Sequence, residues 1–208
     1  FLEFEPNLIS AIATDGHRMA ISRYSCVNTT QNKLLLPKKC VQELLRLLNG
    51  VTDEMVLLTA GKSHVTLVTQ QFVFSSKLIE ARFPPYSKAI PRAQDKSILI
   101  DCASLKRSLS RIVILAHEKS KAVMLYLQSG LLTLIANNNE QEEAVESLVA
   151  ETEGEELKIG LNATYLLDVL NHFGDGMIRL SMSNTDSSIL IESLQQNHYQ
   201  YIIMPMKI

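Results

Sequence analysis

No apolar stretch in this sequence approaches the length needed to cross a membrane, because its hydrophobic residues are spread over short runs. These residues still make up 46% of the 208, which is enough to bury one substantial core or two modest ones. No secretory signal opens the sequence. The composition therefore favours a soluble globular protein.

Cysteine is also scarce. Cys26, Cys40 and Cys102 are scattered without the CxxC spacing typical of zinc sites or redox motifs. Unpaired, widely spaced cysteines are typical of a reducing compartment. We expect a cytoplasmic protein that holds no metal and needs no cofactor.

Catalytic motifs are missing as well, since the sequence contains no GxSxG, no Walker loop and no HExxH. Asp15 with His17 and His117 with Glu118 are the only candidate acid–base pairs, and neither has an accompanying nucleophile in a known motif. A histidine in a turn is more often a surface or packing residue. We therefore expect no enzymatic activity.

The chain has little net charge of either sign: 20 basic and 22 acidic residues give −2 at pH 7. Ordinary nucleic-acid binders carry a clear positive excess, so the average charge counts against that class. The average does not decide the question, because the location of the charges matters more.

A repeat of roughly sixty residues organises the chain, each copy reading as a strand, a helix and three strands. The predicted helices run from Pro37 to Leu48, from a cap at Asp101 to about Leu115, and from a cap at Asn162 to Phe173. Residues 1–23 supply two further strands, like the tail of a fourth copy. Helices on one face of antiparallel sheets predict an α+β, modular fold.

The proline-rich stretch from Phe83 to Gln94 lies between the first and second copies. We place a domain boundary there, giving domains 1–92 and 93–208. The chain begins at Phe1 within a strand-like run, so we expect a fragment whose first domain is incomplete.

Two short segments are the most distinctive. Thr14-Asp15-Gly16-His17-Arg18 contains Asp-Gly between apolar runs, a tight-hairpin signal. The chain ends on an apolar strand with Met204-Pro205-Met206-Lys207-Ile208, where Pro205 requires a sheet edge or a departure from the sheet. Flexible methionines displayed there suit a surface for apolar partners. The alternative is a terminal edge strand whose methionines fold back into the core.

Together with Ser76-Lys77-Leu78-Ile79-Glu80, Arg82-Phe83-Pro84 and the run from Asn137 to Glu143, these segments resemble the bacterial sliding clamp family, the beta subunit of DNA polymerase III. The resemblance covers the whole chain. It implies two clamp-type domains, the first truncated, from a ring that encircles duplex DNA and raises polymerase processivity. The runner-up interpretation is a repeat-built interaction module that never contacts DNA.

The resemblance also implies a peptide-binding cleft, through which polymerases and the clamp loader would be held by Gln-Leu-x-Leu-Phe-type peptides. The implied cleft residues are Thr14, Gly16, His17, Arg18, Met19, Pro84, Lys88, Ala89, Asn162, Tyr165, Ser188, Ile202, Ile203, Met204, Pro205 and Met206. Lys88 and Lys207 stand where the family often has arginine, and Ala89 is smaller than the usual branched residue. Met19, Ile202 and Ile203 could alternatively be core residues, and Asn162 could simply cap its helix.

Basic residues recur on the first two predicted helices, with Lys38, Lys39 and Arg46 on one and Lys106, Arg107 and Arg111 on the other. Such a face is usually only solvated, but two in equivalent repeat positions favour a wall that attracts DNA phosphates independently of sequence. We expect Val41, Leu44, Leu45 and Leu48 to form the opposite, apolar stripe. We also expect the acidic runs 140–146 and 151–156 to lie far from the basic helices.

By the same resemblance, Ile114 and Leu115 would meet the first domain of a neighbouring chain in a head-to-tail homodimer. That first domain is not part of this sequence. We therefore expect the 208-residue chain to be mainly monomeric, with this apolar pair at least partly exposed.

Overall fold

The computed structural model describes residues 1–27, 29–52, 55–91 and 95–207, in two compact units. Unit 1 is formed by Phe1–Ile12 and Arg23–Pro84, and unit 2 by Ala13–Ser22 and Pro85–Ile208. The predicted boundary between residues 92 and 93 lies outside the described residues and remains a prediction.

The elements follow one another in the order of the repeat. In the first part of the chain they are β1 (Leu2–Glu5), β2 (Leu8–Thr14), β3 (Arg18–Ser25), β4 (Asn32–Leu34), α1 (Lys38–Leu48), β5 (Leu57–Ala60), β6 (His64–Val68) and β7 (Val73–Lys77). A short 3₁₀ helix, Tyr86–Lys88, comes next. The remainder contains β8 (Lys96–Asp101), α2 (Cys102–Ile112), β9 (Ala122–Gln128), β10 (Leu131–Asn137), β11 (Glu143–Val149), β12 (Glu151–Glu153), β13 (Leu157–Asn162), α3 (Ala163–Phe173), β14 (Met177–Met182), β15 (Ile189–Ser193) and β16 (Tyr199–Ile203).

Unit 1 has two small antiparallel sheets in the described part of the chain, with orders β2-β1-β4 and β5-β6-β7. The opening residues form three strands, β1 to β3, rather than the predicted two. Asn7 makes the difference, because its positive φ of 62° turns the chain between β1 and β2. Strand β1 then pairs with β2 in the register Leu2 to Ala11.

Unit 2 has two larger antiparallel sheets. Residues 18–22 of β3 pair with β16, which continues the order β15-β14-β8-β12, and the second sheet has the order β11-β10-β9-β13. Strand β8 is the first strand of one repeat, but it pairs with β14 of the next repeat. In turn, β13, the first strand of the second repeat, pairs with β9 of the first. The two repeats of unit 2 are therefore interleaved.

The core of unit 2 lies between its helices and sheets. Helices α2 and α3 pack against each other, and each touches strands of both sheets. Fully buried leucines on the helices, such as Leu105, Leu109, Leu166 and Leu170, meet the inner faces of the strands. The strand–helix–three-strand pattern confirms the predicted α+β class.

One prediction about the helices is wrong. Helix α2 ends at Ile112 rather than near Leu115, because the next residues tighten into i→i+3 hydrogen bonds such as Leu115 N to Ile112 O. The predicted apolar stripe of α1 does lie on one face of the helix, but it is largely exposed, with Val41, Leu45 and Leu48 facing solvent. Cys40 is the helix residue that is buried.

One strand was not anticipated. Residues Glu151–Glu153 form β12, which pairs with β8 at the edge of the sheet. Gly154 follows it with φ +88°, and its Cα lies so close to Asp95 O and Lys96 that a Cβ would clash with the backbone. Glycine is therefore required at this turn.

Candidate peptide-binding site

The hairpin between β2 and β3 is held by its own side chains. Thr14 Oγ1 donates to Arg18 O at 2.8 Å, and Asp15 Oδ1 accepts hydrogen bonds from the backbone N–H groups of His17 and Arg18 at 3.0 Å each. Gly16 adopts φ +89° at the tip, which a residue with a Cβ rarely does. Desolvation opposes ionisation of Asp15, but the backbone hydrogen bonds and Arg18 together lower the pKa of its carboxyl group.

Arg18 links this hairpin to helix α3. Its Nη1 donates to Asp168 Oδ2 at 2.5 Å and its Nε donates to Asp15 Oδ2 at 3.1 Å. The guanidinium carbon lies 4.3 Å from the centroid of the Tyr165 ring, within cation–π range. The imidazole ring of His17 also lies near Tyr165, and the centroids of the two rings are 6.5 Å apart. Three aromatic or charged side chains thus share one patch of surface.

The C-terminal segment crosses this patch. Strand β16 pairs with β3 through Ile202 opposite Met19, and after it Met204 N donates to His17 O at 2.9 Å. Pro205 has no N–H to offer, and Met206 N then donates to Gly160 O at 2.8 Å, at the free edge of β13. Met204 is 43% exposed and Met206 is half-buried. The segment therefore runs past the hairpin at His17 with one thioether, that of Met204, exposed and the other half-buried.

Some predicted cleft residues lie beneath the surface. Met19, Ile202 and Ile203 are all buried, and Ile203 belongs to the main core of unit 2. Asn162 caps α3, since its Oδ1 accepts from Thr164 N and Tyr165 N, and its Nδ2 donates to Ser120 O at 3.0 Å. These four residues support the patch in the structure, and a direct contact with a ligand stays a prediction.

Lys88, Ala89 and Ser188 gather at another place in unit 2. They line a cavity of about 300 Å³ together with Ser183 and Ser187. Ser188 Oγ donates to Ala89 O at 3.0 Å, which fixes the short 3₁₀ helix region to the turn before β15. Pro84 is exposed and belongs to unit 1.

A second cavity, of about 400 Å³, adjoins the C-terminal segment. Met206 and Lys207 line it, together with residues that include His117, Met124 and Lys158. Ser120, whose carbonyl oxygen binds Asn162, also lines it. A lining that combines apolar side chains with a few polar ones is typical of ligand pockets.

The predicted DNA-facing residues are at the surface. Lys38, Lys39, Arg46, Arg107 and Arg111 are exposed, and Lys106 is half-buried. A groove of about 430 Å³ is lined by Lys106, Arg107 and Arg111 of α2 and also by Asp175.

Two of these cations are paired with carboxylates. Arg111 donates from Nε and Nη2 to both oxygens of Glu146 at 2.6 Å, and Arg46 binds Glu43 at 3.0 Å. The Glu146 hydrogen bonds raise the pKa of Arg111 and lower that of Glu146. The expectation that the acidic run 140–146 lies far from the basic helices is therefore wrong, because β11 brings Glu146 alongside α2.

The predicted exposure of the apolar pair is confirmed. Ile114 is 78% exposed and Leu115 is half-buried in the turns after α2. Strand β11 packs beside α2 and is an edge of its sheet, where Val149 is also exposed.

Neither carboxylate partner follows from its sequence spacing to the arginine that it binds. Asp168 lies 150 residues from Arg18, and Glu146 lies 35 residues from Arg111. A local signal existed only for Asp168, which is three residues after Tyr165 and so shares its helix face.

Comparison with known proteins gives a consistent picture. A family model described as DNA polymerase III beta subunit, C-terminal domain, matches residues 87–207, and the model of the central domain of that subunit matches residues 1–85. A curated relative named beta sliding clamp from Pseudomonas putida is 37% identical over 209 residues, covering 100% of this chain and 57% of the relative. The chain thus spans little more than half the length of the curated relatives it matches.

Solved structures agree. The DNA polymerase III subunit beta from Pseudomonas aeruginosa has a TM-score of 0.95 at 37% identity, covering 99% of this chain and 57% of that one. A sliding clamp from the same organism, solved bound to griselimycin, also has a TM-score of 0.95 at 37% identity, and there the match covers 100% of this chain and 56% of the other.

Proposed function

We propose, because this chain belongs to the DNA polymerase III beta subunit family, that it is the peptide-binding portion of a DNA polymerase processivity factor. In this proposal it acts without catalysis, in the cytoplasm, as part of a clamp around duplex DNA. Polymerases and the clamp loader are held through a peptide of the Gln-Leu-x-Leu-Phe type. The chain spans 57% of the length of the Pseudomonas putida relative.

The convergence at the hairpin carries the peptide proposal. The hydrogen bond from Met204 to His17, and the stacking of Arg18 on Tyr165, bring three distant segments to one surface patch. Apolar anchors of a peptide can pack on Met204 and Met206, while Arg18 and Tyr165 offer polar contacts. A few such anchors dominate the affinity of most peptide sites.

Calorimetry with a Gln-Leu-x-Leu-Phe peptide tests this proposal. Met206→Ala should weaken binding by about 1 to 3 kcal/mol, because apolar contact is lost from a site that excludes water. Met55→Ala is the matched control, since Met55 is 86% exposed in unit 1 and should leave the affinity unchanged. Wild-type affinity in a folded Met206→Ala protein would show that the terminus is only an edge strand.

The DNA proposal rests on the basic faces of α1 and α2. Because contacts to phosphates are electrostatic, duplex binding by this chain should be weak, independent of sequence and lost as salt rises. Replacing Lys39, Arg107 and Arg111 together with glutamate should remove it. Unchanged DNA retention by the triple variant at low salt would contradict this assignment.

The ion pairs favour a second candidate, an interaction module that does not bind DNA. Arg111 with Glu146 and Arg46 with Glu43 cancel part of the positive charge on these faces. If peptide binds but duplex DNA does not bind even at low salt, this second candidate is supported.

For assembly, we propose that Ile114, Leu115 and the edge strand β11 form the surface that meets a neighbouring subunit head to tail in the complete clamp. The 208-residue chain should be mainly monomeric, because the opposing domain is not within it. Light scattering that shows a stable two-fold dimer of this chain would contradict the proposal.

A further inference from the structure

The guanidinium of Arg18 is enclosed on three sides. Asp15 binds its Nε, Asp168 binds its Nη1, and the ring of Tyr165 covers one face. The two carboxylates come from different elements, since Asp15 lies in the β2–β3 turn and Asp168 on helix α3. Both elements belong to unit 2, so the arrangement is set within one compact unit.

This enclosure changes what Arg18 can offer to a ligand. Nη2 is the nitrogen with no hydrogen-bond partner among the described residues. One guanidinium and two carboxylates carry a combined formal charge of −1. An isolated arginine prefers carboxylates and phosphates, but this one sits in a locally negative group. An acceptor atom on a ligand can therefore receive a hydrogen bond from Nη2. A negatively charged ligand is not attracted in addition, because the group of three side chains is itself negative.

We propose that Asp15 and Asp168 make Arg18 selective for a neutral hydrogen-bond acceptor, such as the amide oxygen of a glutamine or a peptide carbonyl, and against a carboxylate. The proposal rests on the peptide-binding function above and names the ligand class of that site. Asp168 is the positioning residue that can be tested alone. Its side chain is 54% exposed and its hydrogen bond is to Arg18, whereas Asp15 also shapes the turn.

The test uses three peptides and calorimetry at low salt. One peptide is Gln-Leu-Ser-Leu-Phe, and the others carry glutamate in place of the glutamine or in place of the serine. Wild-type protein should bind at least one of the glutamate peptides on the order of fivefold more weakly than the neutral peptide, the size expected for like charges several ångströms apart near a surface. In Asp168→Asn, this ratio should fall towards one, mainly through tighter binding of the glutamate peptide.

Asp175→Asn is the matched control, because it removes the same charge from the loop after α3 and should leave the ratio at its wild-type value. A thermal unfolding curve for each variant establishes that it is folded. Asp168→Ser serves as a second variant, and it should reduce the ratio in the same way.

The outcomes separate the two proposals. If the wild-type protein binds both glutamate peptides as tightly as the neutral peptide, the selectivity proposal is overturned while peptide binding stands. The same holds if the weaker binding of a glutamate peptide persists in both Asp168 variants. An equal loss of affinity for all three peptides in Asp168→Asn also overturns it, since Asp168 would then only maintain the shape of the site. Failure of every peptide to bind the wild-type protein would overturn the proposed function itself.

Discussion

Helices α1 and α3 occupy the same place in their repeats, yet they bury different amounts of apolar surface. Counted from the first helical residue, Val41, Leu45 and Leu48 of α1 stand where Leu166, Leu170 and Phe173 stand in α3. The three residues of α3 are buried, whereas Leu45 is 74% exposed and Val41 and Leu48 also face solvent.

The difference lies in what covers each helix. In unit 2, α2 packs against α3, and α3 also contacts strands of both sheets. In the described part of unit 1, α1 is the only α-helix. Helical periodicity in a sequence therefore marks which face is apolar, but a second element must be present before that face is buried.

The largest expected effect is at Leu170 of α3, the buried counterpart of Leu45 in α1. Leu170→Ala should destabilise unit 2 by about 2 to 5 kcal/mol, because the side chain is fully buried and its removal leaves a cavity between α3 and its neighbours. Chemical denaturation followed by circular dichroism measures this change. A cost below about 1 kcal/mol would mean that α2 and α3 are less tightly packed than they are in the structure.

A somewhat smaller effect is expected at the turn after β12. Gly154→Ala should cost roughly 2 to 3 kcal/mol, because it combines an unfavourable positive φ with a contact to Asp95 O that would be only 2.5 Å. Thermal unfolding would detect the loss. Wild-type stability would show that the turn can rearrange to accept a side chain.

The caps of the helices provide the third comparison. Asp101 accepts a hydrogen bond from Ser104 N at 2.8 Å at the start of α2, whereas Pro37 at the start of α1 makes no side-chain cap. Asp101→Ala should therefore cost about 1 kcal/mol at pH 7. Chemical denaturation of the wild-type protein and of Asp101→Ala measures this difference in the free energy of unfolding.

The same cap predicts a pH dependence. Hydrogen bonds from the Ser104 side chain and backbone lower the pKa of Asp101 below 3.8, its unfolded-state value. The folded state therefore binds the Asp101 proton less tightly than the unfolded state does. The ionised cap contributes its full stabilisation at pH values above 3.8, and this contribution is lost as the pH falls through the lower pKa of the folded state. The gap between wild type and Asp101→Ala should shrink on acidification, and a gap that widens would contradict the assignment.

The smallest effect is expected at the exposed member of the first pair. Leu45→Ala should change the free energy of unfolding by less than about 0.5 kcal/mol, because the leucine already contacts solvent. Denaturation of this variant completes the comparison with Leu170→Ala. A loss as large as that of Leu170→Ala would mean that another element covers α1 in solution.

Much of the fold was accessible from the sequence, because local signals specify it. Pro37 and Asn162 mark the starts of α1 and α3, and Gly174 follows the end of α3 as predicted. The end of α2 was missed, since no glycine or proline announces the change to i→i+3 hydrogen bonds after Ile112. Helix ends set by backbone geometry alone carry little sequence signal.

The candidate site was accessible only in part. The hairpin and the C-terminal segment stand out as motifs, so Arg18 and Met204 could be named in advance. Their partners could not, because Asp168 meets Arg18 through tertiary structure and not through spacing. The burial of Met19 and Ile202 depends likewise on the pairing of β3 with β16.

The interleaved strands of unit 2 have a consequence for synthesis on the ribosome. Strand β8 emerges from the ribosome well before its partner β14, which is translated only after the whole of helix α3. The first repeat therefore waits with one sheet edge open while the second is made, and its exposed backbone groups can attract another chain in the meantime. Slower elongation between residues 101 and 177 would prolong this vulnerable interval, so the rate of translation bears on the yield of correctly folded chains.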